Sequence, residues 1–466
     1  MSGLFASLNS SVHAMTAHSR AVEIAGKNLA NVNNSSYARQ RVVYGDRGTV
    51  VTPDGAESLG LEALGVEQIR DTLLDRQVMR ETSLSSYYTA MQSAYQRAQA
   101  GLGESISSTS STNSANTSSD TGIGAALDDF FNAFQALASN PTDTGQRSAV
   151  VQAASILADR VQLADTRLAQ VQTDLDSQVN TGLSSANTLL ANIADLNSQI
   201  ARFEINNPGS AVDLRDSRQA ALEKLAALVP VTVTDTTGGQ IQVSVKAADG
   251  SDVLLVDNSS VASSLAFDGT QITAGSPAAN LALTSGSVQG SLDARDKAVQ
   301  SLRDNLDALT GQLVTSVNAA YGSDFFAASG TTAGTFALNS SITSTSLTAG
   351  TGAAGDNSIA TAIANLASTK FSTSASPADG IDGTFAAFFS TTVSDFGQAL
   401  SGTNARVTDQ QNIETLVRSQ RDAVSGVSLD EEMADLMKYQ RAFQASSRVF
   451  QTIDTLLDNV ISQMGR

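Results

Sequence analysis

The feature that most constrains this chain is a seven-residue apolar repeat near each of its two ends. Near the N-terminus, Leu8, Met15, Val22 and Leu29 recur every seven positions. Phe5 and Val12 stand at the neighbouring core position of the same repeat. This spacing is typical of a coiled-coil seam, and such a seam requires a partner helix. We therefore predict one helix over residues 2–30, with these side chains as an interface.

A matching repeat occupies the last forty residues. Its rows are Leu436, Phe443, Phe450, Leu457 and Met464, and, three positions on, Tyr439, Ser446, Ile453 and Val460. Ser428 as N-cap and Glu431 three residues later form the pair of a capping box, with Leu429 between them. Asp430, Glu431 and Glu432 place negative charge at the positive end of the helix dipole. We predict that the two terminal helices pair; the alternative is two ordinary amphipathic helices that pack on separate cores.

Between the ends the apolar period changes from helical to alternating and back. Helices are predicted at 72–100, 126–141, 146–204 with an interruption around Gly182, 212–228, from Leu292, near Asn357 and from Phe385. Strands are predicted within 38–45, 60–71 and 229–285, where "TTGG" and "ADGSD" supply turns. The polar stretches 105–122 and 323–384 are predicted as loops.

These elements predict a mainly α fold with an inserted β domain. The domains would be a terminal antiparallel coiled coil (1–33 and 427–466), a long-helix bundle (34–228 and 287–426) and a small outer β domain (229–286). A chain of 466 residues is long enough for three domains of about 150 residues each.

Composition excludes several classes of function. The net charge of -18 argues against a nucleic-acid partner, because phosphate binding needs clustered Lys and Arg. No stretch approaches the roughly 20 apolar residues of a membrane span, so no membrane partner is expected. The absence of cysteine excludes disulfides and thiol catalysis. The first residues lack the basic and apolar regions of a cleaved secretory signal.

Residues that could carry catalysis or bind metal are sparse. The two histidines, His13 and His18, are five apart, whereas a helical metal pair requires a spacing of four, so both are predicted to be solvated. Asp128 and Asp129, like the acids at 430–432, lie at helix starts, where dipole and solvation chemistry explains them. We therefore expect no enzyme activity, no cofactor and no metal.

The segment "NLANVNNSSYARQRVV" (28–43) raises a separate question, because it stops a well-patterned helix without Pro or Gly. Asn28 and Asn31 belong to a group of asparagines, which tolerate left-handed and turn conformations. Tyr37, Arg39 and Gln40 follow the break. Our hypothesis is that Arg39 and Arg41 contact an adjacent subunit, at the acidic start of one of its helices.

Both terminal segments resemble a known family. "NLANVNNSSYARQ" is similar to the N-terminal motif, and "SGVSLDEEMADLMKYQRAFQASSRVFQTIDTLLDNVI" to the C-terminal motif, of bacterial flagellar rod, hook and hook-associated proteins. The "SSYARQ" and "SGVSLDEEMADLMKYQ" versions, and internal segments at 130–154, 213–233 and 290–321, resemble the hook-associated members. The family motif then includes Asn28, Asn31, Tyr37, Arg39, Gln40, Ser428, Leu429, Asp430, Glu431 and Glu432.

This resemblance implies a structural subunit at the junction between hook and filament. Such a subunit is exported unfolded by the flagellar type III apparatus and forms part of the extracellular flagellum. Its implied partners are further copies in a ring, the hook protein, a second junction protein on the flagellin side of the filament, and an export chaperone. The region 229–286 is small for the outer domain of this family.

Two other functions remain open from the sequence. One is a different flagellar axial subunit, from the hook or the distal rod, against which the "YARQ" segment and the long helical region 146–204 argue. The other is an extracellular helical adhesin with a β tip. An adhesin would account for the acidity and the polar loops, but not for heptads confined to the two ends.

Overall fold

The computed structural model describes residues 2–46, 48–52, 55–58, 60–103, 122–353 and 355–464. The helices are α1 (Ser2–Ala30), α2 (Thr72–Leu102), α3 (Ile123–Ser139), α4 (Thr144–Phe203), α5 (Val212–Leu228), α6 (Ser287–Asp293), α7 (Gln300–Tyr321), α8 (Ser358–Asn365), α9 (Phe385–Ser425) and α10 (Leu429–Met464). The strands are β1 (Gln40–Asp46), β2 (Thr49–Thr52), β3 (Gly55–Ser58), β4 (Leu61–Gln68), β5 (Thr232–Asp235), β6 (Ile241–Lys246), β7 (Asp252–Asp257), β8 (Ser260–Val261), β9 (Leu265–Phe267), β10 (Ile272–Ala274) and β11 (Ala279–Asn280). The predicted class, mainly α with an inserted β region, is confirmed.

Contacts divide the chain into two compact units. The first unit comprises Met1–Ser85, Leu183–Gly286 and Gln410–Arg466, and the second comprises Ser86–Gly182 and Ser287–Asp409. The first unit therefore contains both the terminal helices and the inserted strands. The three-domain division made from the sequence stays a prediction.

The terminal helices α1 and α10 pack against each other within the first unit. Asn28, near the end of α1, donates to Glu432 in the first turn of α10 at 3.0 Å. Further along, Met15 lines a groove together with Phe443 and Phe450. Residue numbers fall along α1 as they rise along α10, so the two helices are antiparallel.

The inner face of α1 differs from the predicted one. Phe5 and Val12, predicted at core positions, are 54% and 42% exposed. The most buried positions instead form a row of mainly small residues: Ser11, Ala17, Ala21, Ile24, Ala25 and Asn28. The reason is that α1 also packs on the β1–β4 hairpin. Small side chains permit a backbone to approach closely, whereas Phe and Val at the heptad positions would hold it away.

The strands form separate antiparallel sheets. Strand β1 pairs with β4, from Gln40 opposite Gln68 to Asp46 opposite Leu61. The short β2–β3 hairpin, which the sequence did not reveal, lies between them in the chain. The inserted region folds as a four-stranded sheet in the order β5-β6-β7-β8 and a three-stranded sheet in the order β11-β10-β9.

The second unit has a dense apolar core. Its centre is a group of phenylalanines from α3 and the segment after α7, in which Phe130, Phe134, Phe325, Phe326 and Phe336 are fully buried. The ring centroids of Phe326 and Phe336 are 4.6 Å apart, and those of Phe325 and Phe326 are 5.0 Å apart. Aromatic pairs at such separations add to the stabilisation from buried area. The stretch 323–384, predicted as a polar loop, therefore supplies part of this core.

The long helix α4 runs through the predicted interruption. It extends over 60 residues without a break, so the prediction of an interruption around Gly182 was wrong. A Cβ at Gly182 would meet Cγ2 of Val288 at 2.8 Å. The glycine therefore permits close packing rather than a turn. The predicted loop 105–122 lies outside the described residues except at its last position.

No helix among the described residues has the length and apolar character needed to cross a lipid bilayer.

Candidate functional site at the terminal clasp

The asparagine-rich break after α1 is built from consecutive turns. The backbone N–H of Asn31 donates to the Lys27 carbonyl, that of Asn34 to Asn31, and that of Tyr37 to Asn34. The Asn31 side chain also donates to the Lys27 carbonyl at 3.0 Å, which satisfies an acceptor at the helix end. None of these asparagines has a positive φ; among the described non-glycine residues only Asn258 does. Turns and side-chain hydrogen bonds, both expected of these asparagines, therefore stop the helix without a left-handed residue.

Asn28 is the centre of the site. Its side chain is 1% exposed. Its Nδ2 donates to the Gln40 carbonyl at 2.8 Å and to Oε2 of Glu432 at 3.0 Å. Its Oδ1 accepts from the Tyr37 hydroxyl at 2.8 Å and from the Gln40 amide at 3.0 Å. An asparagine side chain has two donor hydrogens and two acceptor lone pairs, so all four are used.

Arg39 connects the break to the start of α10. Its Nε donates to Oε1 of Glu432 at 2.6 Å, and its Nη1 donates to Oε2 of Glu431 at 2.8 Å. Asp435, one turn further, lies 3.4 Å from Nη2. Burial disfavours the charge of Arg39, but the carboxylates of Glu432 and Glu431 outweigh it and raise the Arg39 pKa. We call Asn28, Tyr37, Arg39, Gln40, Glu431 and Glu432 the terminal clasp.

The acidic start of α10 therefore does more than complement the helix dipole. Glu432 is 3% exposed and is bonded by both Asn28 and Arg39. The helix begins at Leu429, as the predicted cap requires, and the Glu432 N–H donates to the Ser428 carbonyl at 3.0 Å. Ser428, Leu429 and Asp430 are exposed. Among the described residues, neither side chain-to-backbone hydrogen bond of a capping box joins Ser428 and Glu431; the Glu431 side chain accepts from Arg39 instead.

Our hypothesis that Arg39 and Arg41 contact an adjacent subunit stays a prediction, and both arginines have carboxylate partners within the chain. The partner of Arg39 is an acidic helix start, but one of the same chain. Arg41 pairs with Glu67 across the β1–β4 hairpin. The sequence indicated the chemistry of the partner correctly and could not indicate that the partner lies in the same chain.

The clasp also binds the start of α5, which the sequence analysis did not single out. Nε2 of Gln40 donates to Oδ1 of Asp213 at 2.9 Å, and Nζ of Lys27 lies 2.7 Å from Oδ2. Burial raises the pKa of Asp213, but the hydrogen bonds from Lys27 and Gln40 outweigh it, so the pKa is lowered. Burial and the nearby Asp216 raise the pKa of Tyr37, so its hydroxyl stays protonated and donates.

Two further arginines hold the backbone of the break. Nη2 of Arg70 donates to the Ser36 carbonyl at 3.0 Å, and the same nitrogen lies 2.6 Å from Oδ1 of Asp216. Nη2 of Arg421 donates to the Ser35 carbonyl at 2.6 Å. These bonded pairs are 34 to 386 positions apart in sequence, and no periodicity indicates them. The one available signal was the family-like segment 213–233, which contains Asp213 and Asp216.

Burial makes Asp216 an unusual carboxylate. It accepts from the Ala38 amide and from Arg70, yet its Oδ2 is buried without a hydrogen-bond partner among the described residues. Burial raises its pKa to about 6, although Arg70 acts in the opposite direction. A protonated carboxyl is therefore favoured in the folded chain at mildly acidic pH.

The predicted interface residues lie along the contact between α1 and α10. Leu8, Met15, Val22 and Leu29 are half-buried on α1, as are Leu436, Phe443 and Phe450 on α10, while Leu457 is 6% exposed. In the second row Ile453 is buried and Tyr439, Ser446 and Val460 are half-buried. The side chain of Met464 lies outside the described part. A role of these residues in assembly stays a prediction.

The pairing of α1 and α10 leaves a groove of about 480 Å³ open between them. Its walls are Val12, Met15, Phe443 and Phe450, with Arg20 and Glu23 at its polar end. Outside the groove, apolar side chains of α10 face solvent: Leu429, Met433, Met437, Val449, Leu456 and Ile461, each 42% to 61% exposed. The open groove and the exposed apolar side chains together indicate an interaction surface.

The described residues contain no group of His, Asp or Glu side chains placed to hold a metal ion. The expectation that both histidines are solvated was wrong for His18. Its Nδ1 is buried without a hydrogen-bond partner, its ring centroid lies 6.5 Å from that of Tyr44, and burial lowers its pKa. The β1–β4 hairpin that covers His18 is the reason.

Comparison with known families places this architecture in a class. Residues 109–336 match the model described as "Flagellar hook-associated protein FlgK helical domain". Residues 418–464, which include the whole described α10, match "Flagellar basal body rod FlgEFG protein C-terminal". The chain is a structural protein of the bacterial flagellum.

Individual relatives narrow the class. The flagellar hook-associated protein 1 of Bacillus subtilis (strain 168) is 25% identical over all of this chain and 99% of its own length. That of Escherichia coli (strain K12) is 25% identical over 51% of this chain and 41% of its own length. This chain belongs to the flagellar hook-associated protein 1 family. A solved structure, "the flagellar hook junction protein FlgK from Burkholderia pseudomallei", overlaps 54% of this chain and 46% of that chain with a TM-score of 0.46 and 22% identity.

Proposed function

We propose that this protein is a subunit of the junction between the flagellar hook and the filament, and that it assembles through α1 and α10. The observation that carries the proposal is the state of these two helices. The terminal clasp fixes them to each other, while an apolar groove and an apolar outer face stay uncovered. A monomer gains little from such exposed surface, whereas a closed assembly buries it.

The partners follow from this proposal. Further copies of the chain would pack in a ring around the terminal helices, with the hook protein on one side. A second junction protein and flagellin would lie on the other side, outside the cell. Before assembly, an export chaperone would cover the apolar faces during secretion through the flagellar type III apparatus. The proposal requires no catalysis and no cofactor.

A deletion strain tests the junction role. In its absence, we expect hooks to form without filaments and flagellin to appear in the medium, because nothing would join the two polymers. Complementation with the intact gene should restore filaments. Loss of the hook itself would instead indicate a hook or rod subunit, the alternative that shares the C-terminal helix motif. Normal filaments would contradict the proposal.

A further inference from the structure

A cleft in the first unit concentrates positive charge in an otherwise acidic chain. Four arginines line it: Arg70 before α2, Arg76 in α2, and Arg215 and Arg218 in α5. The whole chain has only 28 Lys and Arg against 46 Asp and Glu, whereas this cavity is lined by four arginines and two aspartates, Asp75 and Asp235. The cavity measures about 90 Å³. It lies behind α5, and none of its arginines is a member of the terminal clasp.

Three of these arginines have carboxylate partners. Arg70 pairs with Asp75 at 2.9 Å and with Asp216 at 2.6 Å. The exposed Arg76 pairs with Asp235 at 3.1 Å. Arg215 donates two parallel hydrogen bonds to the buried Glu204 carboxylate, from Nε at 2.8 Å and from Nη2 at 2.7 Å. The surrounding carboxylates are therefore already engaged.

Arg218 is the exception. It is 6% exposed, and its Nη1 donates to Oδ1 of Asn197 at 2.7 Å and to the Gly239 carbonyl at 2.8 Å. Its Nε and Nη2 have no hydrogen-bond partner among the described residues, and no carboxylate lies within ion-pair distance. Asp235 and Glu204 favour its charge from beyond ion-pair distance, whereas burial disfavours it. Burial, followed by the repulsion from Arg215, lowers the Arg218 pKa to about 10.

The size of the cavity bears on what could neutralise Arg218. Its 90 Å³ exceed the roughly 10–15 Å³ of such space that a single water molecule needs. The cavity is therefore large enough for a carboxylate group or a phosphate ion. The planar fork of a guanidinium matches two oxygens of either anion. The geometry points to a binding site for a small oxyanion, held by the free Nε and Nη2 of Arg218, with the neighbouring arginines at the rim.

A purely structural role accounts for the hydrogen bonds of Arg218 Nη1 but not for its Nε and Nη2. Its Nη1 holds the turn at Gly239 against α4 with its two N–H groups, and Nε and Nη2 are not needed for that purpose. Arg218 also lines a cavity whose carboxylates, those of Asp75 and Asp235, are already paired with Arg70 and Arg76. The oxyanion has two possible sources: free phosphate, or the carboxylate side chain of another protein. The site does not depend on the proposed junction role.

Calorimetric titration of the full chain tests the site. Inorganic phosphate and acetate are titrated separately at constant ionic strength, which is maintained with chloride. We expect saturable binding of at least one of them. Arg218→Gln should weaken this binding about tenfold or more, because the charged fork is lost. Arg202→Gln, which removes one exposed arginine of α4 outside the cleft, is the control with the same charge change and should bind normally.

A second measurement covers the case in which Arg218→Gln does not fold. Arg218→Lys keeps the charge but not the fork, and phosphate should then raise the thermal unfolding temperature of the wild type more than that of this variant. Phosphate binding alone would identify a free anion as the ligand, and acetate binding alone a protein carboxylate. Absence of binding, or equal binding by wild type and both Arg218 variants, would overturn the inference.

Discussion

The core of the second unit and the terminal helices of the first are stabilised in different ways. In α3, eight of 17 residues are buried, and all eight are apolar. In α10, the buried residues among those described are Glu432, Ile453 and Leu457, out of 36 in the helix. The α3 core is complete within one chain. The terminal pair is joined by the charged clasp and by a mostly half-buried apolar seam, and it leaves an apolar groove open. The difference indicates which part of the molecule requires partners.

The strongest test of this difference is a charge placed in the terminal seam. Leu457→Asp, and equally Leu29→Asp, should abolish incorporation into flagella, because a carboxylate at these positions opposes the pairing of α1 and α10. The second unit should stay folded. Motility and electron microscopy of junctions measure the first effect, and circular dichroism of the purified chain measures the second.

The matched control is Thr455→Asp, which adds the same charge at an exposed position of α10. It should assemble normally. Normal junctions in Leu457→Asp cells would show that the seam is not required for assembly.

Truncation of a side chain in the aromatic core should destabilise the second unit and leave the terminal helices unchanged. Phe134→Ala should lower the free energy of unfolding of the second unit by about 3 to 5 kcal/mol, because it leaves a cavity among buried rings. Hydrogen exchange in α1 and α10 should not change. Gln135→Ala, at the next and exposed position, is the control for denaturant unfolding; a similar loss in both variants would refute the core assignment.

The clasp itself is tested by Arg39→Ala. The buried carboxylate of Glu432 would lose its counter-ion, so we expect a loss of about 3 kcal/mol in the stability of the α1–α10 pairing. Arg41→Ala removes an exposed pair with Glu67 and should change stability by only about 0.5 kcal/mol. Denaturant unfolding, monitored by hydrogen exchange in α10, distinguishes the Arg39→Ala variant from the Arg41→Ala variant. Equal effects would show that Arg39 has no special role.

A smaller effect is expected from pH. Because the folded-state pKa of Asp216 is raised from 3.8 to about 6, its contribution to stability is complete below pH 4 and is lost as pH rises to about 6. The loss is at most about 3 kcal/mol, at 1.36 kcal/mol per pKa unit. Asp216→Asn should remove this slope in urea unfolding measured between pH 4 and 7.

Asp213→Asn should change the pH dependence of stability in the opposite direction. The pKa of Asp213 is lowered, so its contribution is present at neutral pH and is lost as pH falls. Parallel pH profiles for the two variants and the wild type would contradict these assignments.

Some of this architecture could be predicted from local sequence, and some could not. Period and capping signals placed α1, α5 and the start of α10 correctly, because those signals act within a few residues. They failed at Gly182, where the glycine permits close packing. They also failed at Phe5 and Val12, because the packing of α1 on the β1–β4 hairpin, whose strands were predicted but whose contact with α1 was not, shifts the buried face. Tertiary contact, not local propensity, decides such positions.

The terminal clasp shows the same limit of prediction from local sequence. Asn28, Tyr37, Arg39 and Glu432 were selected from motif resemblance, and the structure brings them together. Arg70, Asp216 and Arg421, which hold the same loop, come from distant segments. A single sequence gives no signal that joins residues separated by hundreds of positions when neither belongs to a periodic pattern.

Hydrogen exchange on the dilute monomer and on assembled flagella tests the central claim most directly. If α1 and α10 are assembly elements, their amides, roughly residues 1–35 and 430–466, should exchange much faster than those of α3 in the monomer. They should become protected on assembly. Protection of α10 equal to that of α3 in the dilute monomer, with no further change on assembly, would contradict the account.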